Sequence, residues 1–500
     1  MRELLAALCY RAEKSGTALA FDDGLTRLDY AGLAGRVAAA AEDVRLLNSP
    51  SAIGILGGNR VEGVIGQLAG WHAGKIVVPL PPFIPLAELR SIAADAGISH
   101  ILAAPDMADA ARQLGIPVTP ISGRMAGWQA AEPAGAGQII YTSGTTDRPK
   151  GVLLGSGQLM WSGRALASAM RASENDSYLS VLPLALLLET ICAIVVPILT
   201  GARVRLEAAL AAGFGAVSGG ALATAVALWR PSCMVLVPQL LADLVRRIGE
   251  GAATASDSLR FVAVGGAPLA PALAEKARTL GIPVHEGYGL SECGSVVALS
   301  RPGERKAGTV GKPLPGLDVR ILDGEIVVSG PCVMDRYVHG QPSGGAWRTG
   351  DVGEIDVDGY LTVRGRRDNV LVTPLGRNIS PEWIEALLTA DPRVAGAIVT
   401  HVAGPHLTAL LVPSSTLGED WFGHAGAELI AALISACCAD APSYAVPRHF
   451  GVVSGRELTA QRLLTANGRI RRREALDYYD DLLALVSGTP VGANAQELER

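Results

Sequence analysis

Apolar and polar positions change rhythm along the chain. From about Leu28 to Leu240, short apolar runs such as Ala52–Leu56 (AIGIL) and Ile76–Leu80 (IVVPL) alternate with Ala-rich stretches of helical spacing, among them Tyr30–Val44 and Pro85–Ala96. Apolar runs without internal alternation suit strands buried on both faces, and their interleaving with helices predicts layered α/β structure with largely parallel strands. Cys233–Val237 and Phe261–Val264 continue the series. Between about Gly308 and Val363 the period shortens to two: Asp318–Leu322, Glu325–Ser329 and Tyr360–Val363 are set off by Asp323-Gly324 and Asp358-Gly359. Asp-Gly pairs between alternating strands favour tight hairpins, so a small β-barrel or antiparallel unit is expected here. A basic stretch, Arg364–Asp368, follows, then a mixed α/β pattern to about Val486 and a polar tail, 487–500, expected to be disordered.

One segment imitates a membrane span. Val181–Thr200 (VLPLALLLETICAIVVPILT) is nearly long and apolar enough, but it holds Glu189 and has Pro183 and Pro197 near its ends, which favours a buried helix. The N-terminus, with Arg11, Glu13 and Lys14 after its short apolar stretch and no cleavage pattern, reads as a helix and not a signal peptide. A chain of 500 residues exceeds one core and implies at least two domains. Its formal charge of -5 offers no basic footprint for nucleic acid. Seven cysteines without a CxxC pair or a His ligand pattern imply a reduced, cytoplasmic protein without a structural metal. No membrane span is expected, which leaves room only for peripheral membrane contact.

The string with most chemistry is Ile139–Val152 (IIYTSGTTDRPKGV), an apolar strand opening into a loop of hydroxyls and glycine closed by a lysine. The amides and hydroxyls of Thr142, Ser143, Gly144, Thr145 and Thr146 can cradle phosphate oxygens, and Lys150 can approach the terminal phosphates as a mobile point charge. The spacing differs from the GxxxxGK[ST] loop.

This string resembles the YTSGTTGxPKG hallmark of the adenylate-forming superfamily of acyl-CoA synthetases, peptide-synthetase adenylation domains and luciferases. Further motifs follow in that family's order over almost the whole chain. Val264–Leu269, with Gly266, Ala267 and Pro268, is similar to the turn that lies along the adenine, and Glu286-Gly287-Tyr288-Gly289-Leu-Ser291-Glu292 is similar to GYGxTE. The resemblance implies that Tyr288 stacks on adenine, that Ser291 approaches phosphate, and that Glu292, with Thr145, holds Mg2+. It implies that Asp351 of Thr349-Gly-Asp351 accepts the ribose hydroxyls, that Arg366 binds nucleotide and that Asp368 is the pivot of a hinge. Gly376–Glu385 resembles GxNISPxxIE, with Ser380 as N-cap and Pro381 at the first helical position. Leu182–Glu189 resembles the LPLAHxxE string of long-chain fatty acyl-CoA synthetases, with Leu186 in place of His, where an apolar pocket wall and plain core packing are both open readings. The implied fold class is α/β: a large N-terminal domain, 1–365, of layered α/β subdomains plus a small β-barrel, a hinge at 366–368, and a small mobile α+β C-terminal domain, 369–486.

Two positions depart from the pattern. Asp147 stands where the last glycine of SGTTG is expected, and Arg469, in Leu464–Arg472 (LTANGRIRR), stands where LTxNGKIxR has its catalytic lysine. The last lysine of the chain is Lys312, so no lysine in the C-terminal part can substitute. The expected activity is ATP-dependent conversion of a hydrophobic or fatty carboxylic acid to an acyl-adenylate, with Arg469, Lys150 and Glu292 in catalytic roles, then transfer to a thiol. Coenzyme A is the default acceptor and a carrier protein or an amine the alternatives. A nucleotide-binding protein that has lost adenylation is the competing class. His285 and His339 need no catalytic role.

Overall fold

The computed structural model describes residues 1–47, 52–129, 133–142, 150–213, 220–253, 257–372, 377–402, 406–415, 417–439, 441–465 and 469–487. The expected buried runs form two large sheets. In one, nine strands lie in the order Lys312–Pro313, Ala298–Leu299, Val284–Tyr288, Phe261–Val264, Cys233–Leu236, Ser177–Ser180, Arg203–Leu206, Leu19–Asp22 and Arg27–Asp29. The neighbours from Val284–Tyr288 to Leu19–Asp22 are all parallel. In the other, seven strands run Arg336–Tyr337, Lys150–Gly155, Gly137–Thr142, Ile76–Pro79, Ala52–Leu56, Ile101–Ala103 and Val118–Pro120. The last five of these are parallel.

The helices Tyr30–Leu46 and Val61–His72 are buried on almost every face, and one apolar core joins them to strands of both sheets through Phe21, Ile53, Val77 and Val204. Ala and Gly in these helices are a packing requirement: at Gly70 a Cβ would sit 2.6 Å from Val77. The layered arrangement leaves the carboxyl ends of the parallel strands facing a crevice, where open α/β sheets bind ligands.

Between 308 and 363 the antiparallel form of the expected unit is found. Asp318–Leu322, Glu325–Ser329, Ala346–Ile355 and Leu361–Arg366 pair in a row, and the first is not bonded to the last to close a barrel among the described residues. Asp323 and Gly324 both take positive φ (52° and 77°) at the first hairpin, as that turn demands.

Beyond Arg366, a three-stranded sheet of Val394–Thr400, Thr408–Pro413 and His449–Val452 is covered by Asp480–Ser487, with Leu410, Leu458, Tyr479 and Leu483 in a separate core on one face, while Val399, Ala409, Leu411 and Phe450 belong to the main apolar core. Residues 488–500, the expected tail, lie outside the described residues.

Two local expectations are corrected. Val181–Leu186 is not helical: the helical part of 181–200 is Leu187–Thr190, a π-helical turn Ile191–Val195 and Val196–Thr200. Pro183 cannot donate within a helix, and the Leu184 amide bonds instead to the Asn59 side chain. Among the described residues no helix is long and apolar enough to cross a membrane. Ser380 precedes Pro381–Leu388 with extended backbone, as an N-cap should, but its hydroxyl donates to Glu382 and makes no capping bond.

Candidate active site

The crevice at the carboxyl end of the nine-stranded sheet gathers most of the expected residues. Val264 ends a parallel strand and the chain turns at Gly265-Gly266, where Gly266 has φ +81° and a Cβ on Gly265 would lie 2.9 Å from the Gly287 carbonyl. Two neighbouring chain segments are therefore in backbone contact, and only glycine permits it. The next strand delivers Tyr288, whose hydroxyl donates to Asp351 Oδ2 at 2.6 Å. Asp351 is carried by the long strand Ala346–Ile355 and is 8 % exposed. Its Oδ1 accepts from Arg366 Nη1 at 3.1 Å, and that guanidinium also donates to the Thr349 carbonyl. Register explains the meeting, since Asp351 and Arg366 are direct cross-strand partners. Burial, then the Asp351 carboxylate, raises the Tyr288 phenol far above its ordinary range, so it stays a hydrogen-bond donor.

Gly289 has no room for a side chain, as a Cβ would fall 1.8 Å from the Ser295 carbonyl oxygen. The tight loop that follows places Ser291 and Glu292 in a single 3-10 turn, Ser291–Cys293. Glu292 Oε1 accepts from the Tyr337 hydroxyl at 2.8 Å, and the Glu292 carbonyl accepts from the Met334 amide. Lys150 Nζ lies 5.7 Å from the centre of the Tyr337 ring. Thr142 and Lys150 are cross-strand partners at the end of the ladder between Gly137–Thr142 and Lys150–Gly155. Ser143, Gly144, Thr145, Thr146 and Asp147 lie outside the described residues.

Glu286 turns away from this cluster. Its carboxylate pairs with Arg278 at 3.1 Å; burial raises its pKa and the arginine lowers it. Gly287 pairs with Leu299 in the sheet. His285 stacks on Phe261 with ring centres 4.1 Å apart and bonds the Ser300 carbonyl through Nδ1, and burial pushes it down to about 4. The imidazole is thus packed and held neutral by burial.

From the C-terminal segment, the Arg469 guanidinium donates to the Gly266 carbonyl, across 203 positions of sequence. Thr465 holds its backbone by an amide-to-carbonyl bond of 2.7 Å. Arg469 thus stands at the turn beside Ala267 and Pro268. Asp368 is exposed in the short 3-10 turn Arg367–Asn369. The preceding Gly365, at φ +133°, is overlaid so closely by Ser380 that a Cβ would meet its Oγ at 2.1 Å.

Leu186 is partly exposed and packs on the main core. It does not line the apolar cavity between the two sheets, but its neighbours Pro183, Leu184 and Ala185 do. That cavity, of about 300 Å³, lies beyond the carboxyl ends of strands from both sheets, with Leu80, Phe83 and Met107 as apolar walls and Asn59 and Gln67 as polar groups. Glu189, whose neighbour Thr190 bonds the carbonyl of the lining residue Leu184, is wholly buried and bonded by the Tyr178 hydroxyl at 3.0 Å; burial pushes its carboxyl up to about 8.

Sequence reasoning missed Tyr337. Nothing in Met334-Asp-Arg-Tyr-Val-His339 marks it; only the pairing of Tyr337 with Val152, beside Lys150, brings it to the crevice.

The family model for AMP-binding enzymes matches residues 9–338. A long-chain-fatty-acid–CoA ligase of Mycobacterium bovis, FadD15, is 30% identical over 367 residues, 63% of this chain and 60% of the relative. A 2-succinylbenzoate–CoA ligase of Bacillus mycoides is 32% identical over 310 residues, 56% of this chain and 61% of the relative. The chain thus spans about three fifths of the length of these curated relatives. Among solved structures, an anthranilate CoA ligase, AuaEII, in complex with anthranoyl-AMP superposes with TM-score 0.80 at 19% identity over 96% of this chain and 98% of that one. The O-succinylbenzoate CoA synthetase of Bacillus subtilis with ATP and magnesium gives 0.74 at 23% identity over 94% and 98%. At these identities the superpositions establish the fold.

Proposed function

Since this chain belongs to the AMP-binding enzyme family, we propose that it uses ATP to convert a carboxylic acid to an acyl-adenylate and then passes the acyl group to the thiol of coenzyme A. The observation that carries the reading is the approach of Arg469 to the Gly266 carbonyl, which sets a cation from the C-terminal segment beside the Tyr288–Asp351–Arg366 cluster. On this reading Asp351 exchanges its bonds from Tyr288 and Arg366 for bonds from the ribose hydroxyls, and the freed Tyr288 ring lies against the adenine along Gly266–Pro268. The loop of Thr142–Thr146 cradles the phosphates, Ser291 approaches them, and Lys150 supplies positive charge.

The residues fit a magnesium ion. Glu292 has one oxygen bonded to Tyr337 and the other without a hydrogen bond among the described residues. A cation held chiefly by triphosphate and water needs only one carboxylate from the chain. When bound, magnesium would neutralise the triphosphate and the leaving pyrophosphate. Glu292 and Thr145 would hold it.

A substrate carboxylate oxygen attacks the α-phosphorus, pyrophosphate leaves, and Arg469 steadies charge between the two reacting groups. The segment after Arg366 then turns about Asp368 as a small domain, 369–486, which withdraws Arg469 and admits the thiol. The apolar walls of the cavity beside Leu184 support a hydrophobic acid, while Leu186 packs on the main core. Seven free cysteines support a reducing, cytoplasmic setting, and coenzyme A is preferred to a carrier protein as acceptor.

The test is pyrophosphate release from ATP over a panel of carboxylic acids, with and without coenzyme A. Release with medium or long aliphatic acids, and thioester formed only when coenzyme A is present, is the expected result. No release with any acid would contradict it.

A further inference from the structure

Tyr337 joins the two halves of the crevice that handle phosphate charge, and neither half contains it in sequence. Its backbone lies on the short strand Arg336–Tyr337, paired with Leu153 and Val152 of the strand that begins at Lys150. The Val338 amide donates to the Gly151 carbonyl at 2.9 Å, so this edge follows any movement of the lysine's own strand. The ring faces Lys150 Nζ at 5.7 Å and stands edge-on to Trp347, ring centres 5.6 Å apart. Trp347 belongs to the strand that also bears Asp351. The hydroxyl donates to Glu292 Oε1 at 2.8 Å, which leaves the other carboxylate oxygen to the crevice.

From this geometry we infer that Tyr337 is a positioning residue that fixes Glu292 in a one-oxygen presentation toward the metal and at the same time sets the height of the Lys150 ammonium over the phosphates. The inference rests on the ATP and magnesium reading above. A carboxylate free to rotate would offer either one oxygen or two; with Oε1 committed to a phenol, it can offer only the second without losing a charge-assisted hydrogen bond. The ring adds a weak cation–π hold that restricts a long, flexible lysine. Phosphate charge and metal charge are thus presented from one rigid aromatic.

The two holds separate by mutation. In calorimetric titrations, Tyr337→Phe keeps the ring and loses the hydroxyl: ATP affinity in the presence of a chelator should equal that of the native chain, and the magnesium concentration that half-maximally tightens ATP binding should rise by about tenfold, the effect of one charge-assisted hydrogen bond. Tyr337→Leu loses both, so its metal-free ATP affinity should fall as well. If the Leu variant does not fold, the Phe variant decides alone. An unchanged magnesium requirement in Tyr337→Phe overturns the inference. So does loss of metal-free ATP binding in both variants to the same extent, the mark of a merely structural role. A native chain that binds no ATP with magnesium would overturn the functional reading itself, a result distinct from either.

Discussion

Asp351 and Glu189 are both buried acids, and they meet their burial in different ways. Asp351 lies across from Arg366 in the register of a β-ladder and divides its oxygens between that guanidinium and the Tyr288 hydroxyl. Glu189 is wholly enclosed and is bonded by the Tyr178 hydroxyl, with Ser180 beside it and one oxygen unbonded. An arginine stabilises a carboxylate, whereas hydroxyls alone do not offset desolvation, so Glu189 keeps its proton up to about pH 8. The first arrangement is one that a ligand with hydroxyl groups can replace. The second is a piece of the wall.

The largest effect is expected where the wall is broken. Glu189→Ala should cost about 3 kcal/mol of stability in chemical denaturation, because it opens a cavity and orphans the Tyr178 hydroxyl. Glu189→Gln preserves the shape of the neutral acid and separates charge from volume. The folded-state pKa of Glu189 lies above its unfolded value of about 4.5, so the folded chain retains a proton that the unfolded chain has released, and native stability falls as pH rises from about 5 to about 8. The Gln variant should lack this contribution, gaining on the native chain by up to about 1.4 kcal/mol per pH unit within the window. Parallel profiles would show that Glu189 is ionised in the fold.

Breaking the other acid should act on ligand and not on fold. Asp351→Asn should weaken ATP binding by about 2 kcal/mol in calorimetry while changing the denaturation midpoint little. A comparable loss of stability would make Asp351 another wall residue. Gly365→Ala tests the closeness of the C-terminal segment: the added carbon cannot coexist with Ser380 Oγ in this arrangement, so adenylation should slow by about tenfold, the rate equivalent of 1.4 kcal/mol, with less effect on thioester formation from supplied acyl-adenylate. The smallest effect belongs to the exposed pair Arg364–Glu354, where Arg364→Ala should alter stability by less than about 0.5 kcal/mol and ATP affinity not at all.

The comparison also shows which parts of the molecule could be read from its sequence. Apolar runs such as Ala52–Leu56 and Phe261–Val264 became the parallel strands they announce, because burial on both faces leaves no alternation to misread. Asp323-Gly324 announced its hairpin through backbone chemistry alone. Val181–Leu186 misled, since an apolar run has no period and the Leu184 amide goes to Asn59, 125 residues away. Glu286 looked like a site residue by its place in a motif, but its partner Arg278 sits on the neighbouring helix Pro271–Thr279. Tyr337 could not be found locally at all, because its importance comes from sheet pairing with Val152.

On the proposed function, adenylation depends on a cation delivered by the C-terminal segment, the role given to Arg469. The most direct measurement is the single-turnover rate of pyrophosphate release, with the best acid from the panel, for the native chain, Arg469→Ala and Arg469→Lys. The Ala variant should be slower by about a hundredfold or more, from removal of one preorganised donor worth about 3 kcal/mol, and the Lys variant at least as fast as the native chain. An Ala variant that releases pyrophosphate at the native rate would contradict that role.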